Sequence, residues 1–236
     1  MNAPIYEPVF AAPFQILDLA GAAPVAKGSE RHVYQHPQDP SLLIKVIIHP
    51  KVKDGKIPRE RANKVFHRED VYTVFQSELV EYVAVESQAR PGEDATPLAR
   101  IAGFARTSLG LGLVVEKIVD QQGRLAPTLK QVVARNGFDD ALQERLRRFF
   151  CVLAENHVIF NDVGASNIVC GRNALGRQGM FLVDGFGPKQ LVPVYAWSKA
   201  LNRRRLMRKY PEIVQELRRT AGAGQEPPES MTPSQA

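Results

Sequence analysis

The stretch from His157 to Gly187 constrains the fold of this chain most strongly, because it sets acidic residues at both ends of two short apolar segments. The apolar segments predict two strands, and the Gly- and Asn-containing spacer between them predicts the turn of a hairpin. Asp162 and Asn167 precede the first strand, and Asp184 follows the second. Since a hairpin brings these two ends together, three oxygen-bearing side chains are expected to meet. Such a group is typical of sites that hold magnesium and polyphosphate.

The composition indicates an ordinary globular protein. The 236 residues are 44% hydrophobic and 24% charged, which suffices for one domain or two small lobes. A net charge of +6 favours anionic partners such as nucleotides. The N-terminus lacks the features of a signal peptide, and no apolar run approaches the ~20 residues that span a bilayer. We therefore expect a cytoplasmic protein without a membrane partner.

A single cation interrupts the most apolar strand of the chain. Residues 41–48 are almost entirely aliphatic apart from Lys45. A buried ammonium group is costly unless it is paired, so Lys45 requires an anionic partner. Glu78 lies on the apolar stripe of the helix predicted over 69–88 and is the candidate, with Glu81 as the alternative that sequence alone leaves open.

The remaining pattern predicts an α+β, two-lobed fold. A small antiparallel sheet with one helix is expected first, followed by a mainly helical part, with the boundary near the polar turn after residue 119. The predicted organisation is an N-terminal arm over 1–13, an N-lobe over 14–119, a C-lobe over 120–220 and a disordered tail over 221–236. Further strands are predicted at Phe14–Leu19, 25–26, 32–35, 101–107 and 111–115, and further helices at 128–134, 139–155 and 194–220.

The order of these parts resembles the protein-kinase-like superfamily. That fold uses a strand lysine paired with a helix glutamate, a catalytic Asp, an Asn and a metal-binding Asp. The five-residue spacing of Asp162 and Asn167 matches the kinase catalytic loop. In this assignment Asn167 and Asp184 hold Mg²⁺, Asp162 accepts the proton of the incoming hydroxyl, and Lys45, positioned by Glu78, holds the phosphates of ATP.

Two further segments complete the predicted nucleotide site. A glycine turn precedes the second strand, and its backbone amides are expected to cover the phosphates. The strand over 111–115 runs into a polar linker that is expected to contact the nucleotide. The predicted ATP-binding residues in these two segments are Gly28, Ser29, Glu30, Arg31, Glu116 and Ile118.

Several segments also resemble the YrbL family, known in bacteria as PhoP regulatory network proteins. The resemblance rests on residues 28–40 with the strand around Lys45, on 112–116, and on the catalytic segment 161–169. It extends from about Phe14 to Arg219. The resemblance implies a small, single-chain, kinase-like protein linked to a bacterial PhoP regulatory network, and it supplies no substrate.

Departures from the protein-kinase pattern bear on the acceptor. Asn161 stands where an arginine precedes the catalytic Asp, Gly185 is inserted after Asp184, and no Ala-Pro-Glu motif follows Gly187. These features favour a hydroxylated small molecule or sugar over a protein as the phosphate acceptor. The alternative is a catalytically silent regulatory or binding module, a pseudokinase. A third reading, nucleic-acid binding through Arg203–Arg205, is disfavoured because basic helical runs are usually solvated faces and aromatic residues are sparse there.

Overall fold

The computed structural model describes residues 15–28, 30–48, 72–88, 96–160, 163–187 and 194–223. Two predicted site residues, Ser29 and Asp162, lie outside these ranges, as does Asn161. The predicted arm over 1–13 also falls outside them, together with the charged segment 49–71.

The first half of the chain forms a five-stranded antiparallel sheet in the order β1-β2-β3-β5-β4. Its strands are β1 (Ala26–Lys27), β2 (Arg31–Gln35), β3 (Leu42–Ile47), β4 (Ile101–Thr107) and β5 (Gly110–Glu116). The aliphatic β3 lies in the centre, since a strand that is apolar on both faces must be covered on both. The strands predicted around 25–26, 32–35, 41–48, 101–107 and 111–115 are thereby confirmed.

Alternate residues of β3 enter two different clusters. Ile44 and Val46 face outward, where Leu17 and Leu19 cover them. The strand predicted over Phe14–Leu19 is wrong for the described residues 15–19, because Leu17 forms only a single parallel bridge with Thr107 of β4. Both leucines of this segment are instead buried over the outer face of the sheet, which removes their apolar surface from water.

One helix packs against the inner face of the sheet. α1 (Thr73–Glu86) confirms the helix predicted over 69–88 and buries Phe75 and Val85. It also buries two carboxylates, Glu78 at 1% exposed and Glu81 at 4% exposed. Buried carboxylates are rare without partners, so both residues require a polar environment at this face.

The second half of the chain is mainly helical and contains a separate hairpin. Its helices are α2 (Leu129–Asn136), α3 (Asp140–Glu155), α4 (Val194–Trp197) and α5 (Lys199–Ala223), and its strands are β6 (Ile168–Arg172) and β7 (Gln178–Leu182). Thr128 and Gln131 form a capping box at the start of α2, and Asp139 caps α3. The single helix predicted over 194–220 is divided at Ser198 into α4 and α5. α5 has Pro211 inside it and continues to Ala223, so the predicted disorder is wrong for 221–223, and the rest of the predicted tail lies outside the described residues.

The two halves share one apolar cluster. It runs from Leu43 and Leu113 of the sheet through Phe75 of α1 to Phe150 of α3 and Leu217 of α5. The segment before β4 also pairs with the hairpin, because Leu182 N donates to Pro97 O at 2.8 Å and Ala99 N donates to Leu182 O at 3.0 Å. The α+β class, with a small antiparallel sheet and one helix followed by helices, is confirmed.

Candidate functional site

The hairpin register brings Asn167 and Asp184 to the same end of the hairpin. Ile168 pairs with Leu182, so the residues just before β6 and just after β7 are neighbours. Val183 N donates to Asn167 O at 2.9 Å, which fixes this end. Gly185 has φ +79°, a conformation that glycine adopts readily, and its N–H donates to Asp184 Oδ1 at 2.5 Å. The inserted glycine thus orients the carboxylate that precedes it.

Lys45 is buried in the centre of the site. Its Nζ donates to Glu78 Oε2 at 2.8 Å and to the carbonyl of Val183 at 2.6 Å. The predicted pairing with Glu78 is therefore confirmed. The bond to Val183 also joins the sheet to the residue that directly precedes Asp184, so one ammonium group holds α1 and the hairpin together.

Arg31 contributes a second cation, through its side chain and not through the backbone amide predicted from the sequence. Its Nη1 donates to Glu78 Oε1, and its Nη2 donates to Asp184 Oδ1. Cross-strand partners lie on one face of a sheet, and Arg31 pairs with Ile47, two residues along β3 from Lys45. Because residues two apart on a strand point to the same face, Ile47, its partner Arg31 and Lys45 all lie on the inner face of the sheet.

The pKa values of Glu78, Asp184 and Arg31 are all shifted from their ordinary values. Burial raises the pKa of Glu78, and the positive charges of Lys45 and Arg31 only partly oppose that effect. Burial would also raise the pKa of Asp184, but Lys45, Arg31 and hydrogen bonds reverse the direction and lower it. The pKa of Arg31 is raised by the two carboxylates, although burial works against them. Asp184 is therefore held as a carboxylate in the absence of any metal.

Glu81 performs a different task from Glu78. Its Oε1 accepts a hydrogen bond from Ile159 N at 2.6 Å. Burial raises the pKa of Glu81 to about 7, and the Ile159 bond works in the opposite direction. This carboxyl group ties α1 to the segment three residues before Asp162.

The segment that leads to Asp162 is held from several sides. Gly187 N donates to Ile159 O at 2.8 Å, and Phe160 forms a β-bridge with Phe186. Gly187 has φ +97°, and a Cβ there would collide with the backbone of Ser77 in α1. The residues after Asp184 therefore lie against both α1 and the segment 159–160.

Contacts from α4 and α5 hold the same segment, and sequence reasoning missed most of them. Asn202, fully buried, donates from Nδ2 to Val158 O at 2.9 Å. His157 lies with Nε2 2.8 Å from the carbonyl of Tyr195. The Arg205 guanidinium stacks on Phe160, 4.5 Å from the ring centroid. In the sequence Asn202 directly precedes the basic run Arg203–Arg205, so no local pattern signalled its burial.

A backbone hydrogen bond within the predicted glycine turn closes that turn. Gly28 N donates to Arg31 O at 2.8 Å, and Glu30 O accepts from Ile48 N at 2.8 Å. Glu30 and Gly28 are both exposed. The turn lies at the end of the sheet that carries Arg31, but the Gly28 amide points into the turn.

The two predicted linker residues lie at the other end of β5. Glu116 is buried, and its carboxylate accepts from Arg100 N at 2.8 Å and from Ala174 N at 3.2 Å, so its side chain joins β4 to the hairpin loop. Ile118 packs in a small cluster with Val169. Glu116 pairs with Leu42, three residues along β3 from Lys45 and therefore about 10 Å away. The structure thus gathers Lys45, Glu78, Arg31 and Asp184 and sets Glu116 and Ile118 apart from them.

A cavity of about 370 Å³ lies elsewhere, between the linker, the hairpin and α3. Its lining includes Asp120, Arg145 and Arg172 and none of the predicted site residues. Among the described residues, buried ionisable side chains converge around Lys45 rather than at this cavity, which makes the group around Lys45 the candidate site.

Comparison with known families decides the affiliation. The family described as PhoP regulatory network protein YrbL matches residues 17–218. This chain belongs to that family. The YrbL proteins of Escherichia coli (strain K12) and Shigella flexneri are each 25% identical to it over 187 residues, which cover 78% of this chain and 80% of each relative. The resemblance stated from the sequence is confirmed.

Solved structures with similar folds include Rad53 residues 1–466 in complex with AMP-PNP, with a TM-score of 0.48, 15% identity and coverage of 86% of this chain. The PpkA-294 apo form has a TM-score of 0.43, 17% identity and coverage of 81% of this chain. The chain spans 51% of the Rad53 chain and 62% of the PpkA chain. Within the ranges described for this YrbL family member, no helix is long and apolar enough to cross a membrane.

Proposed function

We propose that this YrbL family member binds ATP with magnesium and transfers a phosphate to a hydroxyl group of a small molecule or sugar. The observation that carries the proposal is the buried Lys45–Glu78 pair, in which Lys45 also bonds the carbonyl next to Asp184. A buried ion pair contributes little to stability by itself. An arrangement that holds an ammonium group beside an acidic hairpin end is therefore better explained by a phosphate ligand.

The residues at the hairpin end suit a magnesium ion. Mg²⁺ prefers oxygen ligands from a few protein side chains and keeps water and phosphate oxygens as its other ligands. Asp184 is partly exposed at 28% of its side chain, and Asn167 is its neighbour across the hairpin end. Among the described residues no three His, Cys, Asp or Glu side chains form a metal-binding cluster. The ion would neutralise charge on the phosphates.

The proposed reaction assigns a task to each remaining group. Lys45 binds oxygens of the phosphates that are not transferred, and Glu78 keeps its ammonium group in place. The acceptor hydroxyl attacks the terminal phosphorus, the bond from that phosphorus to ADP breaks, and the hydroxyl proton passes to the Asp162 carboxylate. The assignment of Asp162 rests on its sequence spacing to Asn167, and the contacts that hold residues 157–160 support it.

The separation of the parts also supports a nucleotide. The start of the linker lies three residues along β3 from Lys45, a separation of about 10 Å. An extended ligand with phosphates at one end and a base at the other fits that separation, with its phosphates at Lys45 and its base beside the strand end at Glu116. Glu116 would act through the backbone of its strand, since its carboxylate is already bonded to two amides.

The test is calorimetric titration with a non-hydrolysable ATP analogue, with and without Mg²⁺, followed by assays of ADP formation with pools of hydroxylated metabolites. We expect Mg²⁺-dependent binding that Asp184→Ala abolishes. Asp162→Ala should keep binding and lose transfer. Asp140→Ala removes an exposed carboxylate at the start of α3 and is the charge-matched control. Binding that Asp184→Ala leaves unchanged would exclude the proposed site.

A second candidate function is a kinase-like regulatory module without catalysis. It is favoured by the contact of Arg31 with Asp184 and by the Gly28 amide that closes its own turn. The Asp184 carboxylate and the Gly28 amide, which a nucleotide complex would use, are thus already hydrogen-bonded within the protein. A thermal-shift titration discriminates the candidates: no shift at millimolar ATP, with or without Mg²⁺, would favour the silent module.

A further inference from the structure

Arg31 connects the two halves of the site. Its guanidinium group reaches from β2 to Glu78 on α1 and to Asp184 after β7, and only 14% of its side chain is exposed. Hydrogen bonds from a guanidinium to two carboxylates are among the stronger polar contacts in proteins. The carboxylate that it holds is the one assigned above to magnesium.

We propose that Arg31 is the internal counter-ion of Asp184 and that a divalent cation binds to this carboxylate in exchange for the guanidinium group. The proposal deepens the proposed function and rests on it for the assignment of Asp184 as a metal ligand. Arg31 is in this view a positioning residue: it keeps Glu78 and Asp184 in place when no metal is bound.

The charge balance of the cluster carries the inference. Lys45 and Arg31 supply two positive charges, and Glu78 and Asp184 supply two negative charges, so the group is neutral without a ligand. Two carboxylates that share a poorly solvated site repel each other unless a cation lies between them. Arg31 is the side chain that contacts both. Its removal would leave that repulsion to be relieved by another cation.

The Arg31 guanidinium group and a divalent cation would compete for the Asp184 carboxylate. Asp184 Oδ1 accepts from Arg31 Nη2 and from Gly185 N, so that oxygen already has two donors. A metal ion at the carboxylate would meet the guanidinium charge at close range, where like charges interact strongly because the site is partly shielded from water. The backbone donor Gly185 carries no net charge, and Lys45 has its own partners in Glu78 and Val183. Arg31 is therefore the group that a cation displaces.

The experiment measures Mn²⁺ binding without nucleotide, by electron paramagnetic resonance and by thermal unfolding, in the wild type and in Arg31→Gln. Loss of the competing charge should tighten Mn²⁺ binding by about ten-fold, as expected when a charge-assisted hydrogen bond no longer has to be broken. Arg31→Gln should also unfold at a lower temperature without metal and gain more from Mn²⁺ than the wild type. Arg31→Lys retains one charge and should change both quantities in the same direction, by less.

Two controls assign the effect to this contact. Arg106→Gln removes an exposed arginine from β4, at the opposite edge of the sheet, and should leave Mn²⁺ binding at the wild-type level. Adding Asp184→Asn to Arg31→Gln should abolish the gain, because the metal would lose its carboxylate. Equal or weaker Mn²⁺ binding in Arg31→Gln would overturn the proposal. The Mn²⁺ measurement contains no nucleotide, so its result does not depend on catalysis. A failure of phosphate transfer would therefore refute the proposed function without changing the Mn²⁺ result.

Discussion

Glu81 offers a test of the structure that needs no ligand. Its carboxyl group is 4% exposed and accepts a hydrogen bond from Ile159 N. Burial raises its pKa from 4.5 to about 7. Because the folded-state pKa lies above the unfolded value, the native protein binds the extra proton between these two pH values. Stability is therefore greatest below about pH 4.5 and falls as the pH rises through about 7.

The size of this effect follows from the shift. A difference of roughly 2.5 pKa units at about 1.4 kcal/mol per unit gives about 3 kcal/mol as an upper value for the stability lost above pH 7. Glu81→Gln has nearly the same shape, keeps an oxygen that can accept from Ile159 N, and cannot ionise. We expect this variant to match the wild type near pH 4, where the carboxyl group is protonated in both states, and to exceed it by about 2 to 3 kcal/mol near pH 8.

Urea unfolding followed by circular dichroism, repeated across this pH range, measures the difference directly. Contributions from other titrating groups cancel when the variant is subtracted from the wild type. Glu81→Ala serves as the control, since it also removes the acceptor for Ile159 N and should cost about 1 to 3 kcal/mol relative to Glu81→Gln at every pH. A difference between wild type and Glu81→Gln that does not vary with pH would refute the reasoning.

Two further predictions concern the backbone around the site. Gly187→Ala should destabilise the protein by more than Gly123→Ala: both positions have positive φ, but only at Gly187 does a Cβ collide with α1. Gly123→Ala measures the cost of backbone strain alone, about 1 kcal/mol or more. The additional loss in the free energy of unfolding of Gly187→Ala, measured by chemical denaturation, is the cost of the steric clash. Asn202→Ala should lower the free energy of unfolding by about 1 to 3 kcal/mol, because the buried carbonyl of Val158 loses its donor. The exposed Asn136→Ala is its control, and an equal effect of both variants would contradict the assigned contact.

The sequence by itself determined most of the secondary structure and showed that Lys45 needs an acidic partner. Apolar periodicity located the strands of the sheet, α1 and the hairpin, because burial of one face imposes a regular spacing on apolar residues. Lys45 in an aliphatic strand required an acidic partner, since an unpaired buried charge is too costly. The hairpin then predicted that Asn167 and Asp184 would meet, and the β6–β7 register agrees.

Tertiary structure alone decided the partners. Glu78 and Glu81 are three residues apart on one face of α1, so helical spacing cannot say which of them meets Lys45 and which meets Ile159. Arg31 follows a turn, where local sequence does not fix the direction of a long side chain, and only the approach of α1 and the hairpin brings two carboxylates within its reach. The segment before β1 was predicted as a strand from its apolar residues, yet Leu17 and Leu19 instead cover the outer face of the sheet. Sequence spacing fixes which face a residue lies on, whereas the partner on that face depends on how separate elements pack.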